Sequence, residues 1–185
     1  GHDAGQLDIL QLPHPLLKAV SEPVEDFDEA LRRFVDDLEQ TRRNGPAAVG
    51  IAAPQVGRLQ RIAIVDCSST RKPVPNHGHL ILVNPEITHW EGYEPGREGC
   101  LSVPDYTGNV IRATRIHLVA SDPHGEPLEF DMQGYEARAA QHEIDHLDGK
   151  LFIDRLSLYR RLRLRAAAAL AARRAARTAR IAAVS

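Results

Sequence analysis

The chain has 185 residues, of which 43% are hydrophobic and 26% are charged, an ordinary composition for one soluble globular domain. Two cysteines are too few for a disulfide framework, and no apolar run approaches the length of a membrane span, so a disulfide scaffold and a membrane protein are excluded. A cytoplasmic location is expected. The formal charge of −2 hides an asymmetry: 25 acidic and 14 basic residues precede Arg155, whereas nine arginines and no acid lie from Arg155 onward.

The first predicted elements are an extended entry and a helix. Residues 9–25 contain three prolines and are expected to be extended. Asn-Gly-Pro at 44–46 predicts a break, and a loop of small residues follows at 47–55. Between them a helix is expected at about 27–42, because apolar residues recur there at helical spacing: Phe27, Leu31, Phe34, Val35 and Leu38.

The rest of the chain predicts short strands followed by two helices. A second helix runs from about Glu136 to Asp148-Gly149, and a final helix starts near Asp154 and enters the Arg/Ala-rich tail. The predicted fold class is therefore α+β, with short antiparallel strands packed around a central helix and with a C-terminal helix. The β-like runs, bounded by Gly, Pro, Asn and Asp, are 61–66, 80–84, 110–120 and 127–132.

The second predicted helix contains a candidate metal-binding motif of the form HExxH. His142 and His146 are four residues apart, so both imidazoles can meet one ion on the same helix face. Glu143 points about 100° away from His142, where it can reach a water molecule instead of the metal. The motif alone also fits two surface histidines beside a solvated glutamate, so the interpretation depends on a third ligand.

The chain after the motif contains no suitable third ligand. No Glu follows Glu143 and no His follows His146, and Phe152 stands where metzincins place their third histidine. Upstream, Cys100 is the remaining candidate, because a thiolate is a strong ligand for divalent transition metals, although a lone cysteine is more often buried and inert. Two His, one Cys and an open position indicate a catalytic site, since structural zinc is normally held by four protein ligands.

Three segments carry a resemblance to a known family. GIAAPQ at 50–55, EGCLS at 98–102 and QHEIDH at 141–146 resemble the three signature motifs of peptide deformylases, in the family's order. The resemblance implies an enzyme that hydrolyses the N-formyl group of N-formylmethionyl nascent polypeptides and releases formate. It also implies that residues 1–156 form the catalytic domain, followed by an Arg/Ala-rich helical tail at 157–185.

The resemblance further implies the metal chemistry of the site. Cys100, His142 and His146 would bind one divalent metal ion. In this family that ion is usually Fe²⁺, and Zn²⁺, Ni²⁺ or Co²⁺ can replace it. Glu143 would act first as the general base and then as the acid that protonates the leaving amine.

The remaining implied roles concern the substrate. The side chain of Gln55 and the backbone N–H of Leu101 would stabilise the oxyanion. The backbone around Val49, Gly50 and Gly99 would pair with the extended formylated peptide, and a hydrophobic pocket would receive its methionine side chain.

The sequence departs from the family at two places near this groove. Ala48 stands where the family usually has glycine, and QTRRN at 40–44 replaces its usual residues. A deformylase-like amidohydrolase that acts on another formylated peptide or small amide is therefore one alternative. The other is a zinc-stabilised binding module closed by Cys67, which lacks the close CxxC pairing of such sites and leaves Gln55 and Glu143 without a role.

The tail contains eight arginines between Arg160 and Arg180 and no acid. Such a distribution indicates either a polyanionic partner or a solvated Arg/Ala helix, and composition alone favours the solvated helix. The most sensible polyanion for a deformylase is ribosomal RNA near the peptide exit, where formylated chains emerge.

Overall fold

The computed structural model describes residues 5–45 and 48–184. Residues 1–4, 46, 47 and 185 lie outside the described residues. These residues include Pro46 of the predicted break, Ala47 of the predicted loop, and the outer ends of the two predicted domains. The helices are α1 (Glu29–Asn44), α2 (Gly134–Leu147) and α3 (Phe152–Val184). The strands are β1 (Gly50–Ala52), β2 (Ile62–Asp66), β3 (His79–Glu91), β4 (Glu94–Cys100), β5 (Val103–Arg112), β6 (Arg115–Ser121) and β7 (Pro127–Gln133).

The strands form two antiparallel sheets. Five of them pair in the order β1-β2-β3-β6-β7, and β4 pairs with β5 in a separate two-stranded sheet. Within the larger sheet, Ile64 of β2 lies opposite Ile51 on one side and Ile81 on the other. Strand β1 is at the edge of this sheet, so its side away from β2 has no strand neighbour within the sheet, and β1 also contacts α2.

The larger sheet is covered by a helix on each face. Ile62 and Ile64 of β2 pack in a hydrophobic cluster with α1, whereas Val65 packs in a second cluster with α2. This two-sided burial explains why the sequence at 61–66 is almost continuously apolar and does not alternate. The α+β fold class is confirmed, with α2 at the centre of the molecule.

Several predicted boundaries were wrong in detail. The run at 110–120 is not one strand but the end of β5 and most of β6, and the run at 80–84 belongs to a strand of 13 residues. The predicted loop contains the short strand β1 followed by a 3-10 turn, Ala53–Val56. The predicted end of α2 was right: Gly149 has φ +74°, and a Cβ there would lie 2.6 Å from the Lys18 carbonyl oxygen.

The helix α3 has a buried base and an exposed remainder. Phe152 and Leu156 are buried against the body, whereas the side chains at 162–183 are exposed. Among the described residues, no helix is both long enough and apolar enough to cross a membrane.

Candidate active site

The centre of the site is a cluster of one sulfur and two imidazoles. Cys100 ends β4, and His142 and His146 project from adjacent turns of α2. One ligand atom from each residue lies within 4.8 Å of the other two, and the Cys100 Sγ is 3.3 Å from the His146 Nε2. Within 5–45 and 48–184, this is the one such group of three or more His, Cys, Asp or Glu residues.

The cluster fits a single metal ion. A sulfur at about 2.3 Å and a nitrogen at about 2.0 Å from a tetrahedral ion would be roughly 3.5 Å apart, close to the observed separation. Burial opposes charge on His142, but hydrogen bonds to Cys100 and Glu98 raise its pKa to about 10. Burial lowers the pKa of His146 well below its usual value. The negative groups around His142 therefore favour a cation at this point, which a bound metal ion would supply in place of the proton, and His146 is already neutral, as a metal ligand must be.

Glu98 orients the first imidazole. Its Oε1 lies 2.9 Å from His142 Nδ1, which leaves Nε2 of that ring available to a metal ion. The carboxylate is buried, and it accepts two hydrogen bonds of 2.9 Å from Arg112 and one of 2.7 Å from Arg138. Although burial opposes the shift, the bonds from Arg112 and His142 hold the pKa of Glu98 well below its usual range. Glu98 is thus a fixed anion that holds His142 in one orientation.

Asp145 of the HExxH motif connects α2 to α3 through Arg155. Asp145 turns away from the cluster and accepts hydrogen bonds from Arg112 and Arg155, the latter with an Nη2–Oδ1 distance of 2.8 Å. Burial opposes the shift, but the bonds from Arg155 and Arg112 lower the pKa of Asp145. No role for this network was predicted from the sequence, where its only signal is Glu98, two residues before Cys100.

Glu143 lies beside the cluster and is almost fully buried. In the described part of the chain, its Oε1 has no hydrogen-bond partner, so it is available to a group that enters the cleft. Burial raises its pKa to about 7. On its other side the carboxylate packs against Gly50, where an added Cβ would be 2.6 Å from Oε2. The close approach of Gly50 therefore sets the position of this side chain.

Gln55 approaches the sulfur from the 3-10 turn after β1. Its Oε1 accepts a hydrogen bond of 2.9 Å from the backbone N–H of Ala52, which fixes the orientation of the amide. The Nε2 group then points toward Cys100 Sγ and Ser102 Oγ, at 3.5 and 3.2 Å. The buried amide therefore presents a donor to the same space as the metal cluster.

A cleft of about 510 Å³ opens onto these groups. It is bordered by β1 and the residue before it on one side and by β4 with the following turn on the other. Cys67, by contrast, lies in the core between the large sheet and α2 and is not part of the cluster. The predicted residues that line the cleft are Val49, Gly50, Gln55, Gly99, Cys100, Leu101, His142 and Glu143.

Comparison with known proteins agrees with this geometry. The family model described as Polypeptide deformylase matches residues 6–162. The peptide deformylase of Alkalilimnicola ehrlichii is 45% identical over 159 residues, which cover 86% of each chain. The family is metal-dependent, and the chain has a Cys/His/His group able to hold a metal.

Solved structures show the same fold. The peptide deformylase of Ehrlichia chaffeensis in complex with actinonin superposes with a TM-score of 0.78 at 34% identity, covering 85% of this chain and 92% of that one. The class I type b enzyme of Acinetobacter baumannii with Met-Ala-Ser bound has a TM-score of 0.75 at 37% identity, covering 83% and 99%. The chain therefore belongs to the polypeptide deformylase family and is an enzyme that removes the N-formyl group from nascent polypeptides.

Proposed function

We propose that Cys100, His142 and His146 hold one divalent metal ion, with Fe²⁺ as the physiological metal and Zn²⁺, Ni²⁺ or Co²⁺ as substitutes. The observation that carries this assignment is the convergence of three ligand atoms within 4.8 Å of one another, beside the cleft that Cys100 and His142 line. When bound, such an ion supplies Lewis-acid stabilisation of developing negative charge and lowers the pKa of water.

Glu143 moves the proton. Its free Oε1 accepts a proton from the attacking water, whose oxygen forms a bond to the formyl carbon. The carboxyl then donates that proton to the amine nitrogen as the C–N bond breaks, so that formate and a free N-terminus leave the cleft. A pKa of about 7 suits a group that must both accept and donate a proton near neutral pH.

Gln55 and Leu101 stabilise the oxyanion. The Gln55 Nε2 points toward the cluster because its Oε1 is held by Ala52, and Leu101 directly follows the candidate ligand Cys100. An amide N–H from each side can donate to the formyl oxygen as it becomes negatively charged. Donors held in place before the reaction stabilise the transition state more than the ground state.

The peptide lies extended between two strand edges. The outer edge of β1, with Val49 and Gly50, and the edge of β4 at Gly99 both border the cleft. A chain that enters here can pair with exposed backbone groups as an added strand. The bound Met-Ala-Ser in the A. baumannii enzyme supports a peptide of this kind as the ligand of this cleft.

Release of formate from formyl-Met-Ala-Ser, with metal content measured in the same anaerobically purified sample, tests these roles. We expect one metal per chain and turnover in the intact protein. Cys100→Ser should lose both, whereas the matched control Cys67→Ser should keep both, because Cys67 is buried in the core away from the cluster. A Cys100→Ser protein that keeps its metal would contradict the ligand assignment.

The catalytic unit is assigned to residues 1–156 and the tail to 157–185. The tail would bind ribosomal RNA near the peptide exit in the cytoplasm, where formylated chains are made. The exposed arginines of α3 support this assignment, since phosphate contacts need accessible cations. A protein truncated after Ser157 should keep turnover on formyl-Met-Ala-Ser but lose salt-sensitive sedimentation with ribosomes. Equal sedimentation of both proteins would contradict the role of the tail.

A further inference from the structure

A second cavity of about 700 Å³ adjoins the catalytic cleft. Ala48, Val49 and Tyr135 line both spaces, so the second cavity begins where the catalytic cleft ends. It is enclosed by the end of α1 and the segment that follows β2. The roles described above for the deformylation reaction do not use this space.

The lining of this second cavity is cationic. Arg42, Arg43, Arg71 and Lys72 line it, and the one acidic lining residue is Asp66. The Asp66 Oδ2 lies 3.8 Å from the Arg42 Nη2, so the negative charge of Asp66 is already paired with a cation.

The four cations differ in whether an acidic side chain of the protein already pairs with them. Arg42 pairs closely with Glu39, and the same carboxylate also accepts a hydrogen bond of 2.9 Å from Arg43. Arg71 and Lys72 are exposed, and in the part of the chain that the structure describes neither forms an ion pair. Two full positive charges therefore remain for a ligand in this space.

The proposed position of the peptide along β1 points its later residues toward the second cavity. The reacting formyl group must lie beside Glu143, which contacts Gly50. A peptide that runs antiparallel to β1 with its first residue beside Gly50 passes Val49 and then Ala48, which precede β1 and line both spaces. Because an extended chain advances by about 3.3 Å per residue, such a peptide would bring its fourth and later residues to the space that Arg71 and Lys72 line.

We propose that the second cavity binds residues four to six of the formylated chain and favours acidic side chains there, through Arg71 and Lys72. This inference rests on the proposed position of the peptide along β1. We therefore expect a higher kcat/KM for nascent chains with Asp or Glu at positions four to six than for chains with Lys or Arg there.

Three hexapeptides that share formyl-Met-Ala-Ser and end in Asp-Asp-Ser, Gln-Gln-Ser or Lys-Lys-Ser test the proposal by their kcat/KM. Two exposed ion pairs are worth about threefold to tenfold, so we expect the acidic peptide to exceed the neutral one by that factor, mainly through KM. The lysine peptide should be the slowest. The differences should shrink at high salt, because exposed charges are screened.

The double variant Arg71→Ala/Lys72→Ala should make the three hexapeptides nearly equal while leaving kcat/KM on formyl-Met-Ala-Ser unchanged. Arg173→Ala/Arg174→Ala is the matched control, because it removes the same charge from the exposed part of α3 and should keep the preference. Equal kcat/KM for the acidic and lysine peptides in the intact protein would overturn the inference alone. Absence of turnover on formyl-Met-Ala-Ser would instead overturn the proposed function.

Discussion

The contact between Gly50 and Glu143 leads to a specific prediction for Gly50→Ala. The added methyl group would lie 2.6 Å from Glu143 Oε2 and 2.9 Å from both Cδ and Cγ. An ordinary contact begins at 3.4 Å, so the carboxylate has to move by about 0.8 Å. Gly50 does not have a positive φ, so alanine fits the backbone itself.

The predicted cost falls on catalysis more than on folding. The clashing atoms, from Cγ to Oε2, all belong to the Glu143 side chain and none to the backbone, so a rotation of this side chain relieves the clash, and the melting temperature and metal content should change little. A displacement of about 1 Å in a reacting group costs on the order of 100-fold in rate, or about 2.7 kcal/mol in the barrier. We therefore expect kcat to fall about 100-fold in Gly50→Ala.

A double-mutant cycle with Glu143→Gln isolates the cause. If Gly50→Ala acts by displacing the carboxylate, it should slow the Glu143→Gln enzyme only a few-fold, because that enzyme has already lost the proton carrier. Formate release at saturating formyl-Met-Ala-Ser gives kcat for all four proteins. An unchanged kcat in Gly50→Ala would contradict displacement of the carboxylate. So would a double variant in which kcat falls by the product of the two single-variant factors.

Three further substitutions test separate parts of the site. Gln55→Ala should lower kcat by about 100-fold with a small change in KM, whereas an effect on KM alone would make Gln55 a positioning residue. Glu98→Gln should weaken metal binding by about 10- to 100-fold, measured by competition with a chelator, and unchanged affinity would remove its orienting role. Ala48→Gly should leave kcat/KM within about threefold of the intact protein. Ala48 does not have a positive φ, since Asn84 is the one described non-glycine residue that does, so its backbone conformation does not require glycine. A larger change would show that the Ala48 methyl group contacts the substrate.

Parts of the fold were predictable because burial leaves a periodic trace. The apolar spacing of α1 and the continuous apolar run of β2 identified both elements to within two residues. The strand β4 had no such trace, because most of it is polar or glycine and partly exposed. The division between β5 and β6 was missed because no Gly or Pro marks the turn between Arg112 and Arg115.

The residues of the site were also only partly predictable from the sequence. The spacing of His142 and His146 predicted that both would project from one helix toward one point, and the structure brings Cys100 to that point. The partners of Glu98 could not be predicted, because Arg112 and Arg138 reach it from another strand and from α2, at positions that only the tertiary fold brings together.

Bound metal and formate release, measured in the same anaerobic samples of the intact protein and of Glu143→Gln, separate the role of this carboxylate in proton transfer from metal binding. We expect one metal per chain in both proteins and a turnover at least about 100-fold lower in Glu143→Gln, since a general acid–base group contributes about 10²–10⁴-fold. A Glu143→Gln protein that binds metal and still releases formate at the rate of the intact protein would contradict the role of Glu143 as the proton carrier.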